Sequence, residues 1–162
     1  MAVDNYLKVD SIPGEATTKN FQDQIQLLSY SWGGHQTSSV SGTGGSGAGK
    51  VDLSGGITIT KYLDKATPKF FNALCAGTHI ASAILSATKA GGGGGTGAVF
   101  LKITLGELFV TSLHTSASSE IPTETVTFSY NTIKIEYSTQ DNQGVLTAAG
   151  DVTYDLKANT VS

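Results

Sequence analysis

The stretch Val99-Phe100-Leu101-Lys102-Ile103-Thr104-Leu105-Gly106-Glu107-Leu108-Phe109-Val110-Thr111-Ser112-Leu113 alternates apolar and polar residues, but the parity of its apolar positions changes part-way. Apolar side chains fall on odd positions through Leu105, then on even positions at Leu108 and Val110. Side chains of a strand point alternately to its two faces, so this change requires a bulge or bend at Gly106-Glu107. Glu124–Ser138 carries the same device. Val126, Phe128 and Tyr130 are even, Ile133, Ile135 and Tyr137 are odd, and the slip falls at Asn131-Thr132. Two long bent strands predict a sheet that curls into a barrel.

Further strands lie on either side. Tyr6–Val9 reads as a short strand, followed by a turn at Pro13-Gly14. Gln24–Gly33 reads as a strand whose sidedness changes along its length, the mark of a segment that meets two environments. Val51–Tyr62 places Val51, Leu53, Ile57 and Ile59 on one face, with Thr58 and Thr60 opposite. His79–Lys89 places Ala81, Ala83, Leu85 and Ala87 on one face, and Asp151–Leu156 is a last short strand. One helix is expected, with Thr67 as its cap, Pro68 at its first position and Gly77 at its end. Phe70, Phe71, Ala73 and Leu74 form its apolar stripe. Glycine-rich loops are read at Ser41–Lys50 and Gly91–Gly97. The fold class is mainly β, a curled two-sheet β-barrel with one short α-helix and long Gly-rich loops, as a single domain over residues 1–162.

Composition narrows the function. The chain has 162 residues and a formal net charge of −3. All ten basic residues are lysine. Without arginine or a basic face, nucleic-acid binding is not expected. Cys75 is the one cysteine, which excludes an intrachain disulfide framework and fits folding in the cytoplasm. No apolar run reaches the length of a membrane-spanning helix, so no membrane insertion is expected. The first residues carry neither a basic run nor an apolar core, so no cleaved signal peptide is expected.

Motifs that suggest chemistry each have a plainer reading. Gly44-x4-Gly49-Lys50 is followed by Val51 and a strand, whereas a phosphate loop needs Ser or Thr and a helix. Gly42-x-Gly44-x-x-Gly47 lacks the strand and helix of a dinucleotide site. Cys75 and His79 are separated by a helix-breaking Gly77, so Cys75 reads as a small apolar residue packed at a helix end. His35, His79 and His114 lack metal-ligand spacing. Glu120 and Glu124 read as charges of a loop and the start of a strand. Tyr30, Trp32, Tyr62, Phe70 and Phe71 suit a core or subunit interface better than a sugar platform. No catalytic residue, metal or cofactor is expected, and the protein is not read as an enzyme.

The residue strings themselves resemble the haemolysin-coregulated protein (Hcp) family, the tail-tube component of the bacterial type VI secretion system. The resemblance rests on Tyr6-Leu7-Lys8-Val9-Asp10, Ile12-Pro13-Gly14-Glu15, Leu28-Ser29-Tyr30-Ser31-Trp32-Gly33 and Thr60-Lys61-Tyr62-Leu63-Asp64-Lys65-Ala66-Thr67-Pro68. Gly77-Thr78-His79-Ile80, Leu101-Lys102-Ile103-Thr104-Leu105, Ile133-Lys134-Ile135-Glu136-Tyr137 and Asp155-Leu156-Lys157-Ala158-Asn159 follow in family order. The chain departs from the family pattern at Ser11, where glycine is usual, and at Tyr154, where tryptophan is expected. The resemblance implies a homohexameric ring whose sheets line a channel, with the helix outside. Rings would stack into a tube, assembled in the cytoplasm and expelled by a contractile sheath. Baseplate proteins, a VgrG-type spike and small effector proteins would be its partners. On that reading Ser29 and Ser31 lie near the lumen. Gly42, Thr43, Gly44, Gly45, Ser46, Gly47 and Lys50 are candidates for contacts between subunits or rings. The alternatives are a tube protein of a different contractile machine and a monomeric β-barrel module that binds carbohydrate or protein.

Overall fold

The computed structural model describes residues 2–40, 46–89 and 97–162. Its strands are β1 (Val3–Val9), β2 (Ile25–Leu27), β3 (Ser29–Trp32), β4 (Ser38–Val40), β5 (Ser46–Ala48), β6 (Ile57–Tyr62), β7 (Ile80–Lys89), β8 (Ala98–Ser116), β9 (Thr123–Gln140), β10 (Leu146–Asp155) and β11 (Thr160–Val161). One helix, α1 (Thr67–Ala76), lies between β6 and β7. The mainly-β class with one short helix holds. The pairings form one nine-stranded sheet, ordered β11-β10-β9-β8-β7-β1-β2, with β6 on the far side of β9 and β3 beyond it. The ladder is not closed, and a division into two sheets of a barrel is not among its pairings. β4 and β5 form a separate two-stranded ribbon.

The long hairpin β8–β9 organises everything else, and its bend is where the parity slips. Gly106 pairs with Thr132 and Leu108 with Tyr130, so the register is unchanged across Glu107 and Asn131. Both strands flip their faces together, which makes the feature a bend rather than a bulge. Glu107 takes φ 53°, the left-handed region that side chains other than glycine seldom adopt. A Cβ at Gly106 would stand 2.2 Å from Thr132 Oγ1, so a larger residue there would force that hydroxyl to move. Ile103 and Leu105 are buried before the bend, and Leu108 and Val110 after it. A true register shift does occur further on, between Val110 and Ser112.

The bend lets β9 serve two neighbourhoods. Its first half pairs with β6, Ile57 to Phe128 through Tyr62 to Thr123. Its second half pairs with β10, Thr132 to Asp155 through Gln140 to Leu146. The change of sidedness in 24–33 has the same cause. Ile25–Leu27 pairs with β1, Ser29–Trp32 with β6, and Leu28 between them donates its N–H to Thr60 O at 2.8 Å.

The core lies on the inner side of the bent sheet, under α1. Phe70 is fully buried and meets Phe128 edge-on at 5.6 Å between ring centroids. Burying such a side chain is worth about 1.5–3 kcal/mol. Ala73 is buried beside it, while Phe71 faces solvent, so the stripe is narrower than the sequence suggested. The helix also begins differently from expectation. Ala66 is the N-cap residue and has no side-chain acceptor to offer the first turn, and Thr67 is already helical. Asp64 takes over instead, its Oδ1 accepting the Ala66 N–H at 2.9 Å. Gly77 closes the helix in the left-handed conformation, φ 61°.

Four further expectations are corrected. The strand expected over 51–62 starts only at Ile57, because Gly56 turns the chain at φ 64° and donates to Leu53 O. The last strand is longer than Asp151–Leu156 and gains β11 as a partner. Cys75 is exposed rather than packed, since it lies on the outer side of α1. Part of the Ser41–Lys50 loop is strand, for Ser46–Ala48 pairs with Ser38–Val40. The Gly91–Gly97 loop lies outside the described residues except for Gly97.

Candidate functional site

The outer face of β3–β6–β9–β8 carries hydroxyl groups in register. Ser31 stands opposite Thr58, and Thr58 opposite Thr127, whose neighbour on β8 is Ser112. One pair along, Ser29 stands opposite Thr60, Thr60 opposite Thr125, and Thr125 opposite His114. The arrangement follows from alternation. Ile57, Ile59, Val126 and Phe128 are buried on the inner face, so the threonines between them point outward. The Thr58 and Thr127 hydroxyls lie 3.0 Å apart, and Thr111 Oγ1 donates to Thr127 O at 3.1 Å. Cross-strand threonine pairs of this kind contribute roughly 0.2–1 kcal/mol each. Ser29 and Ser31 are both exposed, while Tyr30 between them turns inward onto the core. Burial pushes the Tyr30 phenol above its ordinary value.

Beyond the bend the outer face changes character. Lys102 and Lys134 both reach Glu136, at 3.6 and 3.4 Å, and Lys134 also reaches Asp151 at 3.7 Å. At the bend itself Lys157 Nζ donates to Glu107 Oε2 at 2.8 Å. That bond and the ammonium charge hold the Glu107 carboxyl below its ordinary value and raise Lys157 above its own. His79 meets the ring of Phe109 edge-on nearby.

Among the described residues, one pair of charges lies inside the protein. Lys61 and Glu124 are cross-strand neighbours, and both are fully buried. Lys61 Nζ donates to Asp64 Oδ1 at 2.8 Å, to Tyr62 O at 3.1 Å and to Thr67 Oγ1 at 3.3 Å. Glu124 Oε1 stands 3.5 Å from it, and neither Glu124 oxygen has a hydrogen-bond partner among the described residues. Glu124 stands at the start of β9 as expected, and there it is buried against Lys61. The ammonium serves to tie β6 and β9 to the start of α1.

The expected site residues are not brought together. Ser29 and Ser31 share the hydroxyl face. Ser46 and Gly47 belong to the β4–β5 ribbon, and Lys50 is exposed just after it. Gly42, Thr43, Gly44 and Gly45 lie outside the described residues. The threonines Thr58, Thr60, Thr125 and Thr127 were absent from the expected set, although their alternation with Ile57, Ile59, Val126 and Phe128 is visible in the sequence. Among the described residues, no group of three His, Cys, Asp or Glu side chains is placed to hold a metal ion.

A protein-family model described as "Type VI secretion system effector, Hcp" matches residues 6–137. The chain belongs to the Hcp family. Protein hcp1 of Pseudomonas aeruginosa is 37% identical to this Hcp over 146 residues, 89% of this chain and 88% of that one. A solved structure described as a type six secretion system protein superposes with a TM-score of 0.90 at 27% identity, covering 99% of this chain and 100% of the other. Hcp1 from Salmonella typhimurium superposes with a TM-score of 0.79 at 33% identity, covering 100% of both chains. The matched region spans the bent hairpin as far as Tyr137 and the whole hydroxyl face of this Hcp.

Proposed function

We propose that this Hcp is a structural subunit of the type VI secretion inner tube. It acts as a single domain, in hexameric rings that stack, and the outer face of β3–β6–β9–β8 lines the lumen. The observation that carries the reading is the hydroxyl face itself. A channel that lets protein cargo travel needs a wall that is polar yet adhesive to nothing in particular. Two cross-strand rows of serine and threonine, with His114 as their one titratable member, meet that need. A wall of lysine or glutamate would hold oppositely charged cargo by long-range attraction. The charged rows Lys102, Lys134, Glu136 and Asp151 fall on the other side of the bend.

The tube is assembled in the cytoplasm, driven out by a contractile sheath behind a VgrG-type spike, and carries small effectors past Ser29 and Ser31. The β4–β5 ribbon with the loop up to Lys50 supplies contacts between subunits or rings. The chain is not an enzyme on this reading.

Light scattering coupled to size exclusion tests the proposal. A molar mass near six times 16.7 kDa, with annular particles in electron micrographs, is the expected result. A monomer that binds a sugar or a protein measurably, with no ring at any concentration, would replace the tube reading by a binding module.

A further inference from the structure

His114 is exposed on the hydroxyl face, and its neighbours there are hydroxyls. Thr125 stands opposite it on β9, and Ser112 and Ser116 flank it on the same side of β8. A third row, Tyr62 beside Thr123 and Thr123 beside Ser116, follows the two rows of hydroxyls. On its other side this part of β8 has no strand partner among the described residues, because β7 begins at Ile80, opposite Leu108.

The charged groups on the surrounding elements lie off this face. Glu124 precedes Thr125 on β9 and Lys61 follows Thr60 on β6, and both are fully buried on the inner side. Glu120 falls in the turn between β8 and β9, outside either strand. No fixed charge therefore stands in the three rows around the imidazole. An imidazole is the side chain that ordinarily changes charge between pH 5 and 8.

Resting on the reading that this face lines a six-membered ring, we infer that the six His114 side chains form a belt in the lumen that turns positive as pH falls and makes the channel select acidic cargo. Ring symmetry sets all six at the same height. A channel with low-dielectric walls focuses the field of like charges, and such fields raise the local concentration of an oppositely charged partner about ten-fold or more. The field reaches roughly 8 Å at physiological salt, so the belt reads the surface of cargo that touches the wall. The hydroxyls around it both donate and accept, and favour neither sign of charge. The partner that fits is a small protein or peptide whose surface carries an excess of aspartate and glutamate. In alkali the wall is neutral and the same cargo moves freely.

The test uses rings of the full chain and a fluorescent peptide of alternating glutamate and glycine, with a lysine–glycine peptide as its counterpart. Binding is read by anisotropy at about pH 8 and about pH 5.5, an interval over which an imidazole ordinarily gains its proton. Each variant is first sized by light scattering, so that six-fold species alone are compared. Unaltered rings bind the acidic peptide at least about five-fold more tightly at the lower pH, and about 0.5 M salt abolishes the gain. The basic peptide shows no gain. His114→Gln rings bind the acidic peptide equally at both values, whereas His35→Gln and His79→Gln rings keep the unaltered response. Thr125→His, which adds a second imidazole across from the first, enlarges it. A response that survives in His114→Gln rings, or is absent from unaltered rings, overturns the inference and leaves the ring reading standing. If His114→Gln forms no rings, Thr125→His decides, and an unchanged response there overturns the belt. An unaltered chain that forms no ring, or Ser31→Gln rings that take up the peptide as fully as unaltered ones, overturns the lumen reading and the belt with it.

Discussion

Replacing Lys61 by Met should destabilise the protein far more than replacing Glu124 by Gln, although the two residues are neighbours and equally buried. Lys61 is the sole cation of a group that also holds Asp64 and Glu124. Lys61→Met leaves both carboxylates without a counter-charge, one of them out of contact with water. Breaking a buried pair from one side costs about 3–5 kcal/mol. Glu124→Gln leaves the ammonium with its 2.8 Å bond to Asp64 and its bonds to Tyr62 O and Thr67. The Glu124 oxygens make no hydrogen bonds to lose, so the cost should stay below about 1 kcal/mol, the scale of one net hydrogen bond. For a chain of this length 3–5 kcal/mol corresponds to roughly 6–20 °C in Tm. The double variant Lys61→Met with Glu124→Met should recover much of the loss, because well-packed apolar replacements of buried pairs are often neutral or better. Urea denaturation at fixed protein concentration, with all variants in the same oligomeric state, reads these differences. Equal losses for Lys61→Met and Glu124→Gln, or a double variant worse than Lys61→Met alone, would refute the account of the ammonium as the hub.

Three other outcomes are expected. Ser31→Gln should leave rings intact and reduce the amount of effector that co-purifies with them, since Ser31 is exposed on the hydroxyl face; undiminished cargo would remove Ser31 from the lumen. Gly56→Ala should cost at least about 1 kcal/mol in denaturant unfolding, because a Cβ would meet Phe128 O at 2.1 Å and the backbone sits at φ 64°; a neutral effect would mean that the turn before β6 can be rebuilt. Finally, the Glu107 carboxyl should titrate below an ordinary glutamate in carbon-detected NMR, and Lys157→Met should return it upward. Its folded value is depressed, so the stability it brings is complete above the unfolded value of about 4.3 and is lost as pH falls through the folded one. A Glu107 titration unchanged by Lys157→Met would assign the shift to some other cause.

The features most legible in the sequence were those written in alternation. Parity exposed the bend at Gly106-Glu107 and its match at Asn131-Thr132, because a buried inner face tolerates no slip of one residue. The break near Leu28 was visible for the same reason. Alternation also misled. Val51 and Leu53 share parity with Ile57 and Ile59, so the strand was extended back through Gly55-Gly56, where the backbone turns. The first half of β10, Leu146–Gly150, went unseen because its residues are largely exposed and leave no apolar stripe. Phe71 and Cys75 were read as packed because composition does not tell which side of a short helix meets the sheet. Lys61 and Glu124 were invisible as a pair, since a charge reads as solvated until the strand across from it is known. Nothing local marked Thr125 and Thr127 as partners of Thr58 and Thr60, which lie more than sixty positions earlier in the chain.

Because both strands of the hairpin change face at the same register position, the bend acts as a partition in the coding of the surface. Residues on either side can be repainted independently. Exchanging Lys102, Lys134 or Glu136 alters only the charged half of the exterior, and exchanging Thr125 or Thr127 alters only the hydroxyl half. Length is a different matter. One residue added before Gly106 in β8 alone would turn that half of the strand inside out, exposing Ile103 and Leu105, while leaving Leu108 and Val110 in place. The hairpin can therefore change its chemistry freely, but a residue added to one strand must be absorbed by a bulge, as between Val110 and Ser112; otherwise both strands must change length together, by an even number of residues.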